Sequence, residues 1–131
     1  MNEQLFKHRT KELGLAVIQL VEALPTSRTV DIIARQLLRS ATSVGANYRA
    51  ACRGKSSADV IAKLAIVEEE ADEANYWLEL LVDAKFMPLE LVAGLLKESN
   101  EIVAMTVAAI KPLRARSWPV NNPKSKIKNP K

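Results

Sequence analysis

Apolar residues recur along this chain at spacings of three, four and seven, and no window alternates with period two. The pattern predicts an all-α protein. In EQLFKHRTKELGLAVIQLVEAL, the residues Phe6, Leu13, Val17, Leu20 and Leu24 share one face of a first helix, which Pro25 ends. A second helix is expected from about residue 28 or 29 to Arg53, with Gly54 free to take left-handed backbone after it. Ser56-Ser57-Ala58-Asp59 pairs a capping hydroxyl with an acid three residues on, which opens a third helix over roughly 57–85. Pro88 suits the first turn of a fourth, whose Leu91, Val92, Leu95, Ile102, Val103 and Ile110 carry it to about Lys111. Connectors this short make successive helices antiparallel, so the expected architecture is an antiparallel up-down four-helix bundle over residues 1–111.

At 100° per residue the second helix divides into two faces. Arg28, Arg39, Arg49 and Arg53 fall within roughly 40° of Arg35, while Val30, Ile33, Leu37, Ala41, Val44, Tyr48 and Ala51 point the other way. The first face is free to meet anions or a neighbour, and its small residues Thr42 and Ala46 allow a backbone to come close. The third helix has a main apolar stripe of Val60, Ile61, Leu64, Val67, Ala71, Leu78 and Val82, interrupted by Glu68 and Asn75. Those two need polar partners, for which Ser40 and Asn47 on the second helix are the expected candidates. On its other side Ile66, Trp77 and Leu80 project among Glu69, Glu70 and Glu73, with Leu81 at the edge. A helix apolar on two sides needs two partners, and an oligomer interface is the simplest source of the second.

Charge changes the picture at the C-terminal end. The formal net charge is +4, yet no Asp or Glu follows Glu101, and residues 1–110 carry −3. The basic excess sits in residues 112–131, a Pro-containing segment expected to form a flexible tail that attracts polyanions loosely. The single cysteine, Cys52, forms no internal disulfide, the polar start lacks a signal peptide's apolar core, and no apolar run is long enough to span a membrane. A cytoplasmic protein is expected.

The chemistry of sites is mostly excluded by residue type. Di-metal bundles draw on Glu-x-x-His pairs, whereas this chain has one histidine, His8, so neither a metal nor any other cofactor is expected. Gly54-Lys55-Ser56-Ser57 resembles the end of a phosphate-binding loop, but Arg49 stands where that loop needs its first glycine, and a helix precedes it instead of a strand. Cys52 lies beside Arg49 and Arg53 without a positioned base. No catalytic residues are assigned, and the protein is expected not to be an enzyme.

The segment QLLRSATSVGANYRAACRGKSSADVIAKLAIVEEEADEANYWLELL resembles a bacterial family of four-helix-bundle proteins, typified by the small proteins encoded in intervening sequences of 23S ribosomal RNA genes. Arg39-Ser40-Ala41-Thr42-Ser43, Gly45-Ala46-Asn47, Arg53-Gly54-Lys55-Ser56, Ala71-Asp72-Glu73 and Tyr76-Trp77-Leu78 carry the likeness. It is strong over about 29–85 and rests on pattern alone elsewhere. The resemblance implies an up-down bundle. A related accessory protein of diversity-generating retroelements forms a pentameric barrel that binds nucleic acid and a reverse transcriptase, which implies a ring-like homo-oligomer, a homopentamer, here.

The expected function is non-enzymatic, homo-oligomeric binding of RNA or DNA backbone, with little sequence specificity because aromatic residues are few. Arg28, Arg35, Arg39, Arg49, Arg53 and Lys55 are the candidate phosphate contacts, aided by the tail. Ile66, Glu69, Glu70, Glu73, Trp77, Leu80 and Leu81 are the candidate oligomer interface. The alternative is a protein-interaction scaffold, for example an accessory subunit to a reverse transcriptase or an RNA-processing factor, whose arginines pair with acids of a neighbouring subunit.

Overall fold

A computed structural model describes residues 2–117, all of it helices and short turns: α1 (Glu3–Ala23), α2 (Arg28–Cys52), α3 (Ser57–Asp83) and α4 (Leu89–Ser117). The chain folds as the expected all-α four-helix bundle. Consecutive helices pack on one another, and α1 meets α4 more sparsely to close the ring of four. Phe6, Leu13 and Val17 of α1, Leu37, Ala41 and Val44 of α2, Val67, Ala71 and Leu78 of α3, and Val92 and Ile102 of α4 form one continuous core. The Tyr48 ring stands edge-on to Phe6 with centroids 4.5 Å apart.

Each helix start follows from its capping residue. The side chains of Asn2, Ser27 and Ser56 accept from the backbone N–H of Leu5, Val30 and Asp59, donors that the helix itself leaves unpaired. At Ser56 the expected box closes almost as written: Asp59 reaches back to the N–H of Lys55 at 3.1 Å.

The ends of α2 and α3 depart from expectation in an instructive way. Gly54 does not take left-handed backbone; the one residue with positive φ among the described residues is Lys85, at 67°. It follows the α3 cap Ala84, with Lys85 N–H donating to the Val82 carbonyl and Phe86 N–H to the Leu81 carbonyl, the paired bonds of a Schellman ending. Gly54 is required for closeness instead: a Cβ there would stand 2.3 Å from Cγ2 of Val60.

α4 also runs farther than predicted, passing Pro112 and ending at Ser117, so the boundary expected at Lys111 moves outward. Pro112 offers no N–H to the Ala108 carbonyl, but the cost is met by packing, because Leu113 lies half-buried against the core. The rest of the predicted tail, residues 118–131, lies outside the described residues.

Of the two polar residues in the α3 stripe, Glu68 is only half-buried, and Asn75 finds partners other than those expected. Asn75, 6% exposed, donates through Nδ2 to Ser99 Oγ at 2.7 Å and to the Leu96 carbonyl at 3.1 Å, both on α4. Ser40 and Asn47, expected to serve it from α2, bond within their own helix to the Leu37 and Ser43 carbonyls. Asn75 sits on the flank of α3 that turns toward α4. Leu81 is corrected too: at 0% exposed it belongs to the core, in the i, i+4, i+7 stripe Ala74–Leu78–Leu81. Packed between α2 and α4, α3 buries a wider face than one partner would require.

Candidate functional site

The predicted arginine face of α2 is exposed along its whole length, at Arg28, Arg35, Arg39, Arg49 and Arg53, and Lys55 in the turn beyond is exposed as well. Their surroundings differ. Arg39 is committed within its own chain: Nη1 donates to both carboxylate oxygens of Glu70 at 3.3 Å, and Nη2 donates to Glu73. The Trp77 indole N–H donates to the same Glu73 at 3.0 Å. These bonds, the Trp77 one foremost, hold the Glu73 carboxyl below its ordinary value, and the Glu73 and Glu70 contacts raise the Arg39 guanidinium above its own. Of the three acids expected to meet a neighbouring subunit, Glu70 and Glu73 are thus occupied at home.

Arg28, Arg35, Arg49, Arg53 and Lys55 make no ion pair among the described residues. Because the helices alternate in direction, the C-terminal end of α2 lies beside the N-termini of α1 and α3 and the C-terminal turns of α4. A cleft of about 760 Å³ marks that end, bordered by Glu3, Tyr48, Cys52, Val60, Leu113 and Arg116. The end is rich in cations: Arg49, Arg53 and Lys55 come from α2 and its turn, Lys111, Arg114 and Arg116 from α4, all exposed. Sequence reasoning assigned Arg114 and Arg116 to a loose tail; continuation of α4 past Pro112 fixes them to the bundle.

Inside the cleft the chemistry is quiet. Tyr48 and Cys52 both line it, and burial raises the thiol above its ordinary value, as it does the phenol. A thiol kept protonated is a poor nucleophile. Among the described residues no three His, Cys, Asp or Glu side chains gather as metal ligands would.

The predicted interface residues of α3 are only partly outward. Ile66, Trp77 and Leu80 are half-buried, with Trp77 and Leu80 packed against the bundle's own core, whereas Glu69 is exposed. What stands out most on this helix is a residue outside the predicted interface: Tyr76, 52% exposed, between Asp72 and Glu79. Lys7 and Lys11 of α1 were missed as well. They border, with Arg49, a groove of about 470 Å³ between α1 and α2. Their spacing of four, on the side of α1 away from Phe6 and Leu13, was the available signal.

Residues 3–108 match the family described as 23S rRNA-intervening sequence protein. The chain belongs to this family. A crystal structure of a protein with unknown function from the S23 ribosomal protein family of Bacteroides thetaiotaomicron is similar, with a TM-score of 0.78 and 34% identity over 85% of this chain and 99% of that one. Comparison with curated proteins gives no match. The family match reaches all four helices of the chain and stops short of Lys111, Arg114 and Arg116, so half of the basic end lies beyond the shared region. None of its described helices is long and apolar enough to cross a membrane.

Proposed function

We propose that this protein is a non-enzymatic, cytoplasmic, homo-oligomeric binder of nucleic-acid backbone, acting through the basic end of its bundle. The observation that carries the reading is the convergence of Arg49, Arg53 and Lys55 with Lys111, Arg114 and Arg116 where α2 and α4 finish, with no ion pair among the described residues consuming any of them. Arg49, Arg114 and Arg116 stand in the last turn of a helix and Arg53 and Lys55 just after one, where cations complement the helix dipole and keep their outward charge available, and Lys111 lies one turn earlier on α4. Arg28 and Arg35 extend the basic surface along α2. Arg39, held by two carboxylates, contributes least. Among the described aromatics Phe6 and Tyr48 are buried, and Tyr76, Trp77 and Phe86 lie far along α3 or beyond it, so the described residues of this end offer no exposed stacking platform and suit phosphate contact over base readout. A homopentameric ring, as the resemblance implies, would repeat the surface about one axis and multiply weak contacts.

The test is a salt series on the full-length protein with labelled structured RNA, the ligand the family's description makes the first to try, and duplex DNA beside it. Log affinity should fall with log salt at a slope of several units, since each duplex phosphate neutralised contributes about −0.9. The paired reversal Arg53→Glu/Lys55→Glu should lower affinity and reduce the slope by about 2. Absence of binding, or binding indifferent to salt, overturns the reading and moves the search to a protein partner, such as a reverse transcriptase or an RNA-processing factor, served by a scaffold.

A further inference from the structure

We infer that the groove between α1 and α2 is a docking site for the outer face of α3 from a second copy of this chain. The inference rests on the homo-oligomer part of the function proposed above and supplies it with two named surfaces.

The groove exists because α1 and α2 approach closely. A Cβ on Gly45 would stand 3.3 Å from the Thr10 carbonyl, and one on Gly14 would touch Thr42. Small residues therefore form the floor, and the side chains that rise from it belong to Leu15 and Ile18, 43% and 41% exposed. Lys7, Lys11 and Arg49 border it. Lys7 is partly engaged by Glu3 at 3.3 Å, while Lys11 and Arg49 make no ion pair among the described residues. This is an apolar trough with a basic rim.

The outer stripe of α3 is its complement. Glu69, Asp72, Tyr76, Glu79 and Asp83 recur at spacings of three and four, so they lie on one line along the helix, and all five are exposed. None of these four carboxylates forms an ion pair among the described residues, unlike Glu70 and Glu73 one step around the helix. Tyr76 stands among them as the most exposed aromatic ring among the described residues, resting on Trp77 with centroids 5.1 Å apart. The two surfaces match in length: Lys7 to Ile18 and Glu69 to Glu79 are each about 16 Å of helix. They match in chemistry, an aromatic ring for the aliphatic trough and carboxylates for the lysines and arginine.

One chain cannot make this contact with itself. α3 packs on α2 and α4 and turns its outer stripe away from the bundle, so the groove and the stripe look in different directions. Docking one into the other is head-to-tail, and repetition closes a ring or continues as a filament according to the rotation between copies.

Light scattering after gel filtration of the full-length protein tests the assignment, with far-UV circular dichroism confirming that each variant folds. The wild type is expected to assemble, and Lys7→Glu/Lys11→Glu and Glu69→Lys/Asp72→Lys should each raise the concentration for half-assembly by about tenfold or more. The quadruple variant, which exchanges the charges of both surfaces, should recover assembly. Tyr76→Ala, at an exposed position, should weaken it without any change of charge. An assembly that survives every variant overturns this interface and leaves the oligomer standing on other surfaces. A wild type that is monomeric at all concentrations overturns the oligomer reading as well. Nucleic-acid affinity is read separately through Arg53 and Lys55, which neither surface contains.

Discussion

Two positions near helix ends show how single residues carry backbone geometry. Gly54 is crowded and Lys85 is strained, the reverse of what composition alone advises. Gly54→Ala would press a methyl onto Val60, with the Ala51 carbonyl 3.1 Å away on the other side, so about 1–3 kcal/mol of stability should be lost in urea denaturation. Lys85→Gly should gain about 0.5–1 kcal/mol, because glycine takes the left-handed conformation without the steric cost a lysine bears. The left-handed residue was unreadable in sequence because neither Ala84 nor Lys85 marks it; only the two bonds from Lys85 and Phe86 back to α3 do. Cys52 gives a pH prediction. Burial holds its folded thiol above the ordinary value, so as pH rises through the unfolded thiol's range, about 8.5, the unfolded chain ionises first and stability falls until the folded thiol also titrates. Alkylation by iodoacetamide at pH 8 should accordingly run slower in the native protein than in denaturant; equal rates would show an ordinary thiol.

At the scale of elements, the helices and their core faces were legible because burial on a helix repeats every 3.6 residues, and α2 reads cleanly since one side meets the bundle and the other meets solvent. α3 read poorly for the same reason in reverse. Two neighbours bury it on adjacent sides, so Leu81 and Ala74 join the core, and the apparent outward stripe of Trp77 and Leu80 half closes over it. The polar contacts were illegible because their partners are far apart in sequence. Asn75 meets Ser99, and Arg9, which no periodicity singles out, is gripped by Glu98 and Glu101 at 2.7–2.8 Å on the seam where α1 meets α4. Glu98 comes first in raising its already high affinity for the proton, with Glu101 next. For the buried pair, the cost of a lone polar group decides the outcome. Asn75→Ala should destabilise by about 1–3 kcal/mol, since Ser99 keeps its Leu96 bond while the cavity and the lost amide contacts remain. Asn75→Asp should cost more at pH 7, as a carboxylate there faces the Leu96 carbonyl and must shed its proton in an apolar setting, and the gap between the two variants should narrow as pH falls.

The whole molecule adds what no single helix holds, a polarity of charge. Alternating helix direction brings the cations that end α2 and α4 to one end, and the acids Glu79, Asp83 and Glu90 to the other, where α3 ends and α4 begins. Sequence order hid this arrangement, because the wheel of α2 treats its five arginines as equivalent when their positions along the axis, and their neighbours on α3, make them different. The difference gives the sharpest test of the candidate site. Arg39→Glu and Arg53→Glu change the net charge of the chain equally and sit on the same exposed face, so any effect of overall charge on binding RNA must be the same for both. A surface built on the basic end predicts otherwise: Arg53→Glu should lower affinity severalfold at moderate salt and take about one unit from the salt slope. Arg39→Glu should alter affinity little and instead reduce stability, since it sets a third carboxylate against Glu70 and Glu73. Equal losses of affinity from the two variants would mean that the chain attracts polyanions by net charge alone, and that the convergence of α2 and α4 at one end creates no site.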